Sequence, residues 1–176
     1  EHESNDTLTV TRGMPGEIVV SSFNKDAIYV LDASDLTWKS ETPISLGSTA
    51  DLEGLLQSLL LPTGDLLGLL TIANGLYQVP QDGSSGFTLA PVGPIANHMA
   101  LRENFVFVVN SGVNNLVRVD WEDGTTTSPF AVFPVGSNPW EMAIEPGGKL
   151  AVVTLNLSHQ IAWVDLETGE QVELTP

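Results

Sequence analysis

Asn104–Asp123, NFVFVVNSGVNNLVRVDWED, and Lys149–Glu167, KLAVVTLNLSHQIAWVDLE, decide the fold between them. Each stretch runs through a block of apolar residues, a polar Asn/Ser-containing turn, and a β-branched block that ends in Asp. Val108-Val109 recurs as Val152-Val153, 44 positions on, and Val119-Asp120 recurs as Val164-Asp165, 45 positions on. An apolar run as short and continuous as Phe105–Val109, bounded by turn residues, reads as a strand covered on both faces. The second block then reads as its antiparallel partner.

Working outward, an earlier copy stands at Glu17–Asp35, EIVVSSFNKDAIYVLDASD, with Asp32 placed 88 residues before Asp120. A degraded copy lies between them at Asp65–Asp82, DLLGLLTIANGLYQVPQD, with Pro80 in the slot of the Asp. The joints repeat too: Leu46-Gly47, Val92-Gly93 and Val135-Gly136 each precede a short, weakly alternating segment. Turns follow at Pro62-Thr63-Gly64 and Pro146-Gly147-Gly148, and Asp123-Gly124 and Thr168-Gly169 mark later ones. Each copy therefore reads as four hairpin-connected strands in roughly 44 residues, the spacing of a β-propeller blade. The expected architecture is all-β, a single propeller repeat domain over 1–176. Its blades fall near 7–47, 48–93, 94–136 and 137–176, forming a four-bladed ring or part of a larger one. Parallel α/β folds are disfavoured, because the copies leave no room for crossover helices. One stretch competes with the repeat. Ser48–Leu61 also reads as a capped amphipathic helix, whereas the register predicts a strand over Asp51–Leu56.

Composition narrows the function. Six Lys and Arg face 22 Asp and Glu, a formal net charge of −16. Such a surface repels phosphate backbones and anionic bilayers, so no nucleic-acid partner is expected. No membrane insertion is expected either, since the most apolar stretch, Leu55–Ile72, is broken by Gln57, Pro62, Gly64 and Asp65. The absence of cysteine excludes disulfides and thiolate metal sites. A chain that starts at Glu1 and runs through a polar stretch to Thr7 fits a mature terminus left by signal-peptide removal, or a piece cut from a longer chain. The expected location is thus secreted, periplasmic or cell-surface.

The segment Val135–Leu174 resembles a repeat of the YVTN type of β-propeller. The resemblance rests on Val135-Gly136, Pro139, Met142–Ile144, Pro146-Gly147-Gly148, Val152–Leu155, Val164-Asp165 and Thr168-Gly169. It is good in the last two copies, moderate in the first and poor in the second. It implies an architecture and no particular activity. It also implies rings of more than four blades. The open faces of an unclosed run would then be covered by a protein partner, by self-association or by the rest of a longer chain.

The Asp that ends each third strand (Asp32, Asp120, Asp165) reads as structural, its carboxylate bonding the N–H groups of the following turn. Candidate functional residues come from the first strands, which line the channel of a propeller. Counting from the joint glycines, Asp51, Glu53, Asn97, His98, Asn138 and Glu141 are expected to converge at one end of the channel, and Trp140 sits at a mouth. Trp140, Asn97 and Asn138 are the candidate ligand or partner contacts, Trp140 being the best of them. His98, Glu141 and Asp51 are the candidate ligands of a divalent metal, calcium or zinc. No cofactor is otherwise expected, and no nucleophile elbow, phosphate loop or zinc-protease motif is present. The first functional reading is a non-enzymatic extracytoplasmic binding or assembly propeller that holds a protein or small ligand at its channel mouth or rim. The alternative is a metal-dependent hydrolase or lyase, lactonase-like, built on His98 and Glu141.

Overall fold

A computed structural model describes residues 7–39, 44–46, 53–80 and 86–175. The described residues form four antiparallel sheets, as the repeat predicts. Blade 1 holds β1 (Leu8–Arg12), β2 (Glu17–Ser22), β3 (Ala27–Asp32) and β4 (Ile44–Ser45). Blade 2 holds β5 (Leu55–Leu60), β6 (Leu66–Leu70), β7 (Gly75–Val79) and β8 (Phe87–Pro91). Blade 3 holds β9 (Ala96–Arg102), β10 (Phe105–Asn110), β11 (Asn115–Asp120) and β12 (Thr126–Val132). Blade 4 holds β13 (Pro139–Ile144), β14 (Leu150–Leu155), β15 (Gln160–Asp165) and β16 (Gln171–Thr175). In every blade the spatial order follows the chain order, as consecutive hairpins require. The chain divides into two compact units, Glu1–Thr88 and Leu89–Pro176.

In the first unit, β5 packs against β1 and β2. Val19 and Ile28 of blade 1 share a core with Leu55, Leu66 and Leu70 of blade 2. Between the two blades lies a buried polar contact, Ser21 Oγ to Ser58 Oγ at 2.6 Å. In the second unit β13 packs against β9 and β10. Phe107, Val109 and Leu116 of blade 3 bury against Met142, Val153 and Ala162 of blade 4. The second strands are the most enclosed: every residue of β6, and Val106–Asn110 of β10, is buried. Their unbroken apolar character follows from cover on both faces. Arg118 lies 4.8 Å from the ring centres of both Phe105 and Phe130, a charged side chain held by two aromatic faces.

The Asp residues at the ends of the third strands act as turn acceptors. Asp32 Oδ1 accepts the N–H of Ser34 at 2.8 Å, Asp120 Oδ1 that of Glu122 at 2.9 Å, and Asp165 Oδ1 those of Glu167 and Thr168 at 2.8 and 3.1 Å.

Three sequence readings need correction. The helix considered for Ser48–Leu61 is absent from its described part, because Leu55–Leu60 is the extended strand β5. The strand expected over Asp51–Leu56 begins only at Leu55, and Asp51 and Leu52 lie outside the described residues. Lastly, β10 and β14 correspond at an offset of 45 throughout, since Phe105 pairs with Asp120 as Leu150 pairs with Asp165. Val108 therefore matches Val153, and Val109 matches Thr154. A shift of one residue matters here, since it exchanges the two faces of a strand.

Candidate functional site

Two kinds of left-handed residue shape one end of the blades, the first in all four and the second at the entries into blades 2, 3 and 4. The turn joining second and third strand closes on Asp26, Asn74, Asn114 or His159, with φ of 45°, 57°, 52° and 54°. The residue leading into a first strand is Gly54, Ile95 or Asn138, with φ of 74°, 54° and 52°. Gly and Asn adopt this conformation readily, whereas a β-branched residue such as Ile95 is strained in it.

Within each unit the first kind of residue holds the second. Asp26 lies in the first hairpin of blade 1. Its carboxylate accepts the backbone N–H of Glu53 at 2.8 Å, of Gly54 at 2.7 Å and of Leu55 at 3.0 Å. These are the residues that lead into blade 2. In the second unit Asn114 Oδ1 accepts the N–H of Asn138 at 3.0 Å. Asn97 completes that joint by donating from Nδ2 to the carbonyl of Pro139 at 3.3 Å. Asn97 is the extra residue of a bulge, for Ala96 pairs with Asn110 and the next pair is His98 with Val109. Bulges re-aim side chains, and this one turns an amide toward the neighbouring blade. Two of the expected contact residues, Asn97 and Asn138, thus serve the blade-to-blade joint.

Trp140 stands in the corresponding bulge of β13 and is 46% exposed. It borders an open cleft of about 330 Å³ with Thr154, Leu155, Asn156, His159 and Gln160. The wall combines an indole face with amide, hydroxyl and imidazole groups. Thr154 Oγ1 is engaged by the backbone N–H of Glu141 at 3.1 Å.

His98 and Glu141 occupy matching positions on β9 and β13. Burial pushes the His98 imidazole below its ordinary value, and the Glu141 carboxylate is near enough to oppose that shift electrostatically. His98 Nδ1 is buried without a hydrogen-bond partner. Asp51, the third proposed metal ligand, lies outside the described residues. Among the described residues no group of three His, Cys, Asp or Glu side chains is gathered as a metal would require.

The count from the joint glycines fails in blade 2. The lead-in residue follows Gly93 and Gly136 by two positions, but Gly54 follows Gly47 by seven. The residue equivalent to His98 and Glu141 is therefore Gln57, six positions beyond the expected metal ligand Asp51. Counting back four from the residue before the first hairpin turn (Leu61, Arg102, Glu145) finds all three, because strand length varies less than loop length.

The fold is that of a β-propeller, here four blades of it. No family model matches the sequence, and no curated protein does. Solved structures match it closely in shape. A streptogramin B lyase structure superposes with a TM-score of 0.81 at 15% identity, over 99% of this chain and 56% of that one. An inactive virginiamycin B lyase from Staphylococcus aureus, solved with quinupristin, gives 0.76 at 13% identity over 99% and 56%. An auxiliary nutrient binding protein from Bacteroides ovatus gives 0.68 at 16% identity over 96% and 41%. The chain spans about half the length of these structures. At such identities the likeness is one of fold.

Proposed function

We propose that this chain is a binding and assembly module of a larger propeller of the YVTN type, acting outside the cytoplasm and without catalysis, and that its rim holds a protein or small ligand. The observation that carries the reading is the uncovered face of blade 4. On blade 3 the face bearing Phe107, Val109 and Leu116 is buried against blade 4. The matching face of blade 4 carries Val152, Thr154 and Ile161, with Trp163 paired to Val152; Ile161 is 38% exposed, and Leu157 in the neighbouring turn is 67% exposed. On blade 1, Leu8 and Val10 are likewise exposed. Apolar side chains left open where the preceding blade buries its own support an interaction site there. Four blades fill 56% of the lyase chain they match, so a whole ring on that plan holds about seven, within the range of known propellers. Sedimentation at increasing concentration tests the reading. Association that grows with concentration supports it, and a strict monomer at every concentration sinks it. Fractionation of expressing cells tests the location.

A second reading is favoured by one observation, the unpartnered Nδ1 of His98 beside Glu141. An imidazole and a carboxylate on adjacent first strands suit acid–base work or a shared divalent cation. Together with the likeness to the lyases, this supports a metal-dependent lyase or hydrolase. The assay is turnover of quinupristin with calcium or zinc present. Turnover that disappears in His98→Ala and Glu141→Gln would support this reading, and none with either metal removes it.

A further inference from the structure

The cleft beside Trp140 has a filled counterpart one blade earlier. The offset of 45 that relates β10–β11 to β14–β15 carries Asn114 onto His159, and the bulge that relates β9 to β13 carries Asn97 onto Trp140. In blade 3 these two positions grip the segment Ser137–Asn138–Pro139 that leads into blade 4. Asn97 donates to the carbonyl of Pro139, and Asn114 accepts the N–H of Asn138. In blade 4 the same two positions, Trp140 and His159, border an open cleft. The chemistry of the pair is kept although both residues differ. An indole N–H can only donate, as the amide of Asn97 does, and a neutral imidazole offers an acceptor nitrogen, as the amide oxygen of Asn114 does. His159 also keeps the left-handed turn conformation, φ 54° against 52° for Asn114.

We propose that the cleft is the socket for the lead-in segment of a further blade of this same repeat. The occupant is a short backbone stretch with one left-handed residue followed by a strand. Its N–H at the left-handed residue goes to His159, and the next carbonyl takes the Trp140 indole N–H. This rests on the assembly reading above and specifies the partner: a peptide backbone in a defined conformation, and not a free solute.

The experiment uses ¹⁵N-labelled protein and a synthetic peptide of residues 134–145, the lead-in of blade 4. The Trp140 indole N–H and the His159 signals should shift saturably. His159→Ala should weaken the peptide by about tenfold, the size of one lost hydrogen bond, and His159→Asn should restore it. A peptide with Asn138→Val should not bind, because a β-branched residue resists positive φ. Equal binding of the Val peptide, or binding unchanged in His159→Ala, overturns the socket. So does maltose, a neutral sugar, shifting these signals where the peptide does not. If the peptide moves neither signal while the protein self-associates in sedimentation, the socket falls and the assembly reading stands. Unmoved signals in a strict monomer overturn both.

Discussion

The side-chain oxygen of Asn114 accepts the backbone N–H of Asn138 at 3.0 Å, so the inner hairpin of one blade fastens the first residues of the next. Asp26 does the same with both carboxylate oxygens, accepting three N–H groups that lead into β5. A left-handed turn residue is well placed for this task, because its side chain projects beyond the hairpin. Asp and Asn supply both the conformation and the acceptor.

Removing these acceptors leaves backbone N–H groups unpaired at a packed joint. Asp26→Ala should destabilise the protein by about 2–4 kcal/mol in urea unfolding, and Asn114→Ala by about 1 kcal/mol, since it loses a single neutral bond. Asp26→Asn should recover part of the loss through its remaining oxygen. An Asp26→Ala variant within experimental error of the parent would show that the joint does not depend on this carboxylate.

The buried hydroxyl pair between blades 1 and 2 should be strongly non-additive. Ser21→Ala or Ser58→Ala alone leaves the other buried hydroxyl without this partner, at a cost of about 1–2 kcal/mol. The double replacement removes both polar groups and should cost less than the two single changes together. A double-mutant cycle with no coupling would contradict the 2.6 Å contact.

Among the described residues Ile95 is the one β-branched lead-in residue held at positive φ, at 54°, and it is 55% exposed. Little packing is lost on replacing it. Ile95→Asn should therefore raise stability by about 1 kcal/mol through relief of backbone strain. The check is a shift of the urea midpoint to higher concentration at unchanged slope.

Stability should fall with acid in two separate windows. Burial lowers the His98 value below its ordinary 6.5, with Glu141 opposing. Between the lowered value and 6.5 the unfolded chain binds more protons than the folded one. Stability is then fully present above 6.5 and declines as the pH drops through that interval. His98→Gln should remove this decline. Lower down, hydrogen bonds to their carboxylates hold Asp32, through Ser34, and Asp165, through the N–H groups of Glu167 and Thr168, below 3.8. Their contribution is present above 3.8 and is lost as the pH falls through the lowered values. Melting temperature measured against pH in the parent, His98→Gln and Asp165→Asn separates the two windows.

Much of this was legible along the chain. The spacing of Val119-Asp120 and Val164-Asp165 located the third strands, and the turn role of Asp32, Asp120 and Asp165 followed from a short acceptor placed ahead of a turn. The candidate site was legible in residue type more than in position. His98 and Glu141 do occupy matching strand positions, yet the count that found them missed Gln57, because more residues separate β4 from β5 than separate β8 from β9 or β12 from β13. Asn97 and Asn138 looked like free polar groups, and each has a partner about forty residues or twenty-four residues away, in Pro139 and Asn114. Nothing local to an asparagine tells a joint from a ligand contact.

The order of residues along the chain is enough to set the blades, since hairpin pairing, buried runs and turn chemistry all depend on near neighbours in the chain. What those blades do with their ends follows from how distant segments pack together. Whether a polar side chain is spent on the next sheet or left open depends on which backbone groups arrive beside it. Asn114 meets the N–H of Asn138 there, while His159, in the same place one repeat later, borders an open cleft.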